Sequence, residues 1–305
     1  MSKFSDMIKN AFWILLLIQI APPIISKISK KIFETVEPKN KVGLIVMNSV
    51  ITSSSTWTKQ LKKFFKDPEI KAILIKFDSP GGAAGSSEAI SKEIIDLKKE
   101  FPKPVVSYAE NLCASGAYMI AATTDYIVAP HSALIGSIGA KLSTQFKFKE
   151  LLEKYDIKTH AISSGSHKNA LDPFVPMSEE QQKMLQAVTD NSYKQFATDI
   201  SKYRHLNMNE KNVWADGKIF TGTEALKLNL IDEIGNQTTA LAYIKKHILH
   251  EDREIDLIKV ATPSPIEKFF YPDKDEDDDE EMQYRLEKSF LKLSQNFLSK
   301  FQISF

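Results

Sequence analysis

The sequence predicts an α/β fold in which parallel strands are joined by crossover helices. Short β-branched or aromatic runs at 42–47, 72–77, 105–108 and 126–129 read as buried strands. Each is followed by helical or turn-rich sequence, and apolar residues recur at helical spacing over 57–65 and 86–100. Strand and helix in alternation imply a parallel sheet, because a crossover must return the chain to the same edge before the next strand can pair. Beyond residue 177 the sequence reads as mainly helical. Ser178 and Gln181 have the spacing of a capping box that opens a helix running to about Tyr203, with shorter helices expected over 223–228 and 238–248.

The 305 residues are 43% hydrophobic and 26% charged, which is enough to bury one large core or two modest ones. Lys plus Arg (40) nearly cancels Asp plus Glu (39), and no basic stripe interleaved with aromatics occurs, so a nucleic-acid partner is not expected. The single cysteine, Cys113, excludes an intramolecular disulfide framework and a multi-cysteine zinc site, and leaves the redox compartment open. No internal repeat suggests a solenoid.

Three segments follow from the composition along the chain. Residues 1–36 hold an apolar stretch from Ala11 to Ile25, interrupted by Gln19, Pro22 and Pro23, with Lys3 and Lys9 before it and Lys27, Lys30 and Lys31 after it. It is short for a span of about 20 residues and is expected as a membrane anchor, a signal segment or an interfacial helix. If it spans, the lysines on its C-terminal side favour a cytoplasmic body. Residues 37–250 form the expected globular domain. Residues 251–305 break away at Pro263 and Pro265, and pass through a like-charge block from Asp273 to Glu281 that reads as a solvated linker. Leu286, Phe290, Leu293, Phe297 and Phe301 then recur at helical steps, giving an amphipathic helix that could dock on a folded body, a membrane surface or a partner.

Two segments could carry chemistry. Asp78-Ser79-Pro80-Gly81-Gly82 lies between a predicted strand and a predicted helix. Consecutive glycines there allow the backbone to approach a ligand and aim amide N–H groups at a developing oxyanion, although Pro-Gly-Gly is equally at home in a plain turn. Cys113-Ala114-Ser115-Gly116 follows the next predicted strand and opens an apolar helical run, so Ser115 is either a helix N-cap or a nucleophile. A nucleophilic serine needs a base. None of the six histidines, His131, His160, His167, His205, His247 and His250, falls in a triad signature, and the Gly-x-Ser-x-Gly elbow is absent. A lysine kept neutral by burial is the remaining choice, and Lys168 in the turn-rich stretch 163–174 is the candidate.

Taken in order, the corner at 78–82, the Ser115-Gly116 turn ahead of Tyr118, Gly136-Ser137-Ile138-Gly139, Ser164-Gly165-Ser166-His167-Lys168, and Asp216 to Gly222 leading to Leu230 through Gly235 resemble the signal peptide peptidase A family of Ser/Lys peptidases in its short, single-repeat form. The resemblance runs from about 41 to 240. It implies a ClpP/crotonase-like fold, Ser115 as nucleophile, Lys168 as general base, and an oxyanion hole from the amides of Gly81 or Gly82 and of Gly116. It also implies peptide substrates such as signal-peptide remnants and unfolded segments, no metal or cofactor, a homo-oligomer in which serine and lysine can come from adjacent units, and a membrane-associated body on the non-cytoplasmic face. Ala117 stands where the family often has a second glycine. A crotonase-like acyl-CoA enzyme would use the glycine corner but leave Ser115 and Lys168 without a task. An inactive scaffold of the same fold is the other alternative.

Overall fold

The computed structural model describes residues 39–250 and 253–260. The expected membrane segment at 1–36, the acidic linker and the amphipathic helix beyond residue 263 lie outside the described residues. Among those described, no helix is long and apolar enough to cross a membrane.

β1 (Asn40–Met47) leads through α1 (Ser55–Lys66) into β2 (Ile70–Ser79), and β2 leads through α2 (Ala84–Glu100) into β3 (Val105–Ala114). There follow α3 (Gly116–Ala121), β4 (Tyr126–Ala129), β5 (Leu134–Gly136), α4 (Lys149–Glu153) and the long α5 (Glu179–Arg204). The chain continues through α6 (Lys211–Trp214), β6 (Ile219–Thr221), α7 (Gly222–Lys227), β7 (Glu233–Ile234) and α8 (Gln237–Tyr243), which a π-helical segment, Ile244–Leu249, extends, and then β8 (Ile255–Ile258). These strands form one sheet in the order β6-β5-β3-β2-β1-β8, with β4 pairing both β3 and β7. All pairings are parallel except β5 with β6. The α/β class is as the alternation predicts.

The structure departs from the expected elements in ways that have physical causes. The stretch beyond residue 177 is not simply helical, because it contributes β6, β7 and β8, and β5 is a further strand that the sequence did not announce. Each is only two to four residues long, too short to show a periodicity, and is drawn out by pairing rather than by its own pattern. β8 pairs with β1, so the sheet reaches past residue 250. β3 also runs six residues beyond the expected end at Tyr108, through the polar pair Glu110 and Asn111 to Ala114. The capping box at Ser178 is present: the Gln181 N–H donates to Ser178 Oγ (3.1 Å) and the Ser178 N–H donates to Gln181 Oε1 (3.0 Å).

Helices cover both faces of the central strands, which explains why β2 reads as a continuous apolar run: Ala72, Ile73, Leu74, Ile75 and Phe77 are all fully buried. One face packs Val42, Leu44, Leu74, Val106 and Val128 with Ala240 and Ile244 of the α8 region. On the other, Phe64 of α1 lies flat against Gly43 of β1, where an added Cβ would come within 2.6 Å of the ring. Since Phe64 is itself buried, its ring has little room to give. Gly43→Ala should therefore destabilise the fold by about 1–3 kcal/mol. A thermal melt followed by circular dichroism checks this, and an unchanged midpoint would show that the ring shifts freely.

Candidate active site

Two strand-to-helix corners meet at the C-terminal ends of β2 and β3. The first, between β2 and α2, is held by an isolated bridge to Ile51: the Ile51 N–H donates to the Gly81 carbonyl (2.9 Å) and the Ala83 N–H donates to the Ile51 carbonyl (2.7 Å). In such a parallel bridge the intervening residue uses neither of its own backbone groups, so the Gly82 N–H faces away from Ile51. It faces the second corner, since a Cβ on Gly116 would lie 3.4 Å from Gly82 N. The Gly81 N–H is differently engaged. It donates to Ser79 Oγ at 3.2 Å, while that fully buried hydroxyl donates to the Ser49 carbonyl at 2.6 Å. Gly82, rather than Gly81, has the unengaged amide.

The second corner is Ser115, between β3 and α3. Its backbone has φ 53° and ψ −123°, outside the regions an L-residue favours, and its N–H donates to the Gly136 carbonyl at 2.7 Å. Strain of this kind costs about 1–3 kcal/mol and persists only where neighbours impose it. Ser115 occupies the N-cap position, yet its side chain makes no capping hydrogen bond. The hydroxyl, on a part-exposed residue, is therefore not spent on the helix, and the N-cap alternative loses its usual reason. The following Gly116 N–H, in the first turn of α3, has no intrahelical acceptor.

The two corners touch so closely that side chains are excluded between them. Gly81 sits at φ +91°, and a Cβ there would lie 2.5 Å from Gly116 N and 2.9 Å from Ser115 Cβ. A Cβ at Gly116 would lie 2.2 Å from Ser87 Oγ. The structure thus brings Ser115, Gly81, Gly82 and Gly116 together. Cys113, two residues before Ser115, is fully buried, and burial pushes its thiol well above the usual range, so it offers no thiolate.

Lys168 is not joined to Ser115 by a hydrogen bond in the single chain. It is exposed, on a turn where its N–H donates to the Gly165 carbonyl at 3.1 Å. The 140–177 stretch that carries it has one short helix and is mostly exposed. No histidine takes its place: His131 Nδ1 pairs with Thr223 Oγ1 (3.0 Å) and His167 Nδ1 with Ser166 Oγ (2.7 Å), and none bonds Ser115. Among the described residues no group of His, Cys, Asp and Glu is placed to hold a metal ion.

The motif at 136–139 closes the site from the far side, as the Ser137 N–H donates to the Lys218 carbonyl (2.7 Å) and the Gly217 N–H to the Ile138 carbonyl (3.0 Å). Sequence reasoning did not find the engagement of Gly81 by Ser79 or the strain at Ser115. Ser79 is visible in its motif, but its partner Ser49 is 30 residues away, and no local signal connects them.

Comparison with known proteins agrees with this geometry. Residues 98–249 match the family described as Peptidase family S49. A Methanocaldococcus jannaschii protein named "Putative protease" is 38% identical over 181 residues, 59% of this chain and 57% of that protein. The Enterococcus faecium "Putative signal peptide peptidase SppA" is 35% identical over 187 residues, 61% of this chain and 54% of that protein. A Synechocystis "Putative protease" is 32% identical over 231 residues, 75% of this chain and 82% of that protein. The chain thus spans little more than half the length of the first two.

If the neighbours impose the Ser115 conformation, glycine should tolerate it better than alanine. Ser115→Gly is expected to be more stable than Ser115→Ala by about 1 kcal/mol, the relief of strain being partly offset by glycine's greater freedom in the unfolded chain. Denaturant unfolding of the two variants checks it, and a more stable alanine variant would show that the turn is unstrained.

Proposed function

The chain belongs to peptidase family S49, and from that premise we propose that it is a serine endopeptidase working by a Ser115/Lys168 dyad. The observation that carries the proposal is a strained, uncapped serine hydroxyl beside two unengaged glycine amides, those of Gly82 and Gly116. Such an arrangement suits acyl transfer, in which a nucleophile and a pair of fixed donors must converge on one carbonyl.

The chemistry proceeds in two halves. Ser115 Oγ attacks the scissile carbonyl carbon while the neutral Lys168 amine takes the hydroxyl proton. Negative charge that gathers on the carbonyl oxygen is met by the Gly82 and Gly116 N–H groups, whose positions are fixed before substrate arrives. Collapse of the tetrahedral adduct breaks the C–N bond, and the lysine ammonium returns its proton to the leaving amine. The acyl ester on Ser115 is then hydrolysed by a water that gives its proton to Lys168, which restores the hydroxyl. Gly81 is a spacer in this scheme, since its amide is occupied by Ser79.

Lys168 must then reach a serine it does not contact in the single chain, and a neighbouring copy is the simplest supplier. Support comes from its surroundings: Phe146, Tyr155 and Ile162, in the same stretch, expose large apolar side chains, Ile162 completely. Apolar side chains displayed together commonly mark an interface. A homo-oligomer would cover them and desolvate the lysine in one step. Substrates are proposed to be peptides, among them signal-peptide remnants and unfolded segments at a membrane. The apolar stretch between Ala11 and Ile25 supports the membrane association; the non-cytoplasmic face for the body follows the family resemblance, against the lysines on the C-terminal side of the stretch.

The test is hydrolysis of a signal-peptide-like fluorogenic peptide by the full chain at pH 8. Ser115→Ala and Lys168→Ala should each lower kcat by about 10³-fold or more, and the double variant should be no worse than either, as residues that act as one unit are not additive. Mixing the two inactive variants should restore part of the activity if serine and lysine come from different copies, and none if they come from one. Turnover that survives Lys168→Ala sinks the lysine as base. A lysine acts as a base only when uncharged, so kcat should also rise with pH on the alkaline side. A rate that is flat there would point to another base.

A further inference from the structure

We propose that Tyr118, Arg204 and Asp232 are positioning residues for Ser115, fixing the roll of α3 about its own axis. The inference rests on Ser115 being the nucleophile. It starts from what α3 lacks. The helix is six residues long, and three of these are Gly116, Ala117 and Ala121, which offer almost no directional contact. Its ends are pinned near its axis, by the Ser115 N–H on the Gly136 carbonyl and by Thr124 Oγ1, which donates to the Ala121 carbonyl at 2.7 Å. Two points close to an axis do little against rotation about it, which leaves that task to the buried side chains of Tyr118, Met119 and Ile120. Rotation would swing the Gly116 N–H, and with it the Ser115 hydroxyl, away from the Gly82 amide.

Of these three, Tyr118 adds a hydrogen bond away from the axis. Its ring is fully buried and its hydroxyl donates to the Leu230 carbonyl at 2.7 Å. Burial pushes the phenol far above its usual range, with the Arg204 guanidinium beside it acting weakly in the other direction, so it stays a donor at every working pH. A tie is only as firm as its anchor, and the anchor here is braced on both sides. Arg204, the last residue of α5, donates from Nε to the Asn229 carbonyl (2.9 Å) and from both terminal nitrogens to the two oxygens of Asp232 (2.8 and 3.0 Å). Asp232 in turn accepts the Ile127 N–H at 2.7 Å and returns its own N–H to the Ile127 carbonyl at 2.9 Å. Leu230 is therefore held between two clamped residues, one fixed to α5 and one to β4. The Arg204 side chain is only 9% exposed, so the bidentate pair is little screened by water.

Nothing in this network touches a substrate, so its loss should disturb geometry and not binding. Tyr118→Phe removes only the hydroxyl and keeps the packed ring. It is expected to lower kcat about tenfold with KM unchanged, because a misaimed nucleophile costs rate well before the site loses its shape. The control is Gly43→Ala, which weakens the core far from the site and should leave kcat at the wild-type value when both are measured well below their melting temperatures. In parallel, amide hydrogen exchange read by mass spectrometry should rise over 115–121 in Tyr118→Phe and stay unchanged over 72–77. Faster exchange in α3 with a selective fall in kcat supports the inference. Unchanged exchange in α3 overturns it whatever the activity, and so does a kcat that falls equally in Gly43→Ala. Wild-type chain that cleaves no peptide would instead count against the peptidase reading, leaving the exchange result to decide the positioning claim.

Discussion

The site depends on two backbones approaching where no Cβ can stand. Gly81 and Gly116 face each other across a gap that a single methyl group would close, since the projected carbon at Gly81 falls 2.5 Å from Gly116 N and the one at Gly116 falls 2.2 Å from Ser87 Oγ. At Gly81 the contacts are to backbone and cannot be relieved by rotating a side chain, so glycine is imposed there by sterics; at Gly116 the contact is to the hydroxyl of the fully buried Ser87. What this achieves is proximity of amides. The Gly82 and Gly116 N–H groups can converge on one point only if the corners that carry them are in van der Waals contact.

That contact is a consequence of the sheet. β2 and β3 pair in parallel from Ile73 with Val105 up to Ser79 with Cys113, and at the register irregularity between Phe77 and Ser79 β3 takes up two extra residues before the pairing resumes. β3 is long enough to serve two neighbours, β4 along its first half and β5 along its last three residues. The second pairing matters most for the site, because it carries the strand up to Ala114 and presents the Gly136 carbonyl to the Ser115 N–H. A serine held from behind by a sheet hydrogen bond and from the front by Gly81 has little choice of backbone conformation. The positive φ at Ser115 is thus imposed by the ends of three strands rather than by any preference of its own.

How much of this could be read from the chain depended on the range of the interaction. The four short apolar runs announced β1 to β4, since strands buried on both faces need only be apolar. The Ser178 capping box announced α5, because its partner lies three residues away. The glycine corner and Ser115 were legible as candidates, each with a bland alternative that local sequence could not remove. The alternative for Ser115 falls only when its side chain is seen to make no capping bond. β5 to β8 were illegible, being too short to carry a period, and so was the direction in which Gly81 and Gly82 aim their amides. That direction is set by Ser79 with Ser49 and by Ile51, partners brought in by the fold from some thirty residues away.

Lys168 marks the limit of what one chain can build. An amine acts as a base only after losing its proton, and removing water from around it is the ordinary means of making that easy. The part of the proposed site built on the sheet is rigid; the stretch that carries Lys168 is mostly exposed and displays Phe146, Tyr155 and Ile162. On the proposed mechanism these two features have one explanation. On that mechanism a monomer would hold its nucleophile and amides in place without its base, and so would not cut. If copies assemble, burial of Phe146, Tyr155 and Ile162 would drive the contact, and the same loss of water would ready the lysine. Hydrophobic association would then do what no residue in the chain does alone, making activity a property of the assembly and sparing other proteins from a peptidase that is active before it reaches its place.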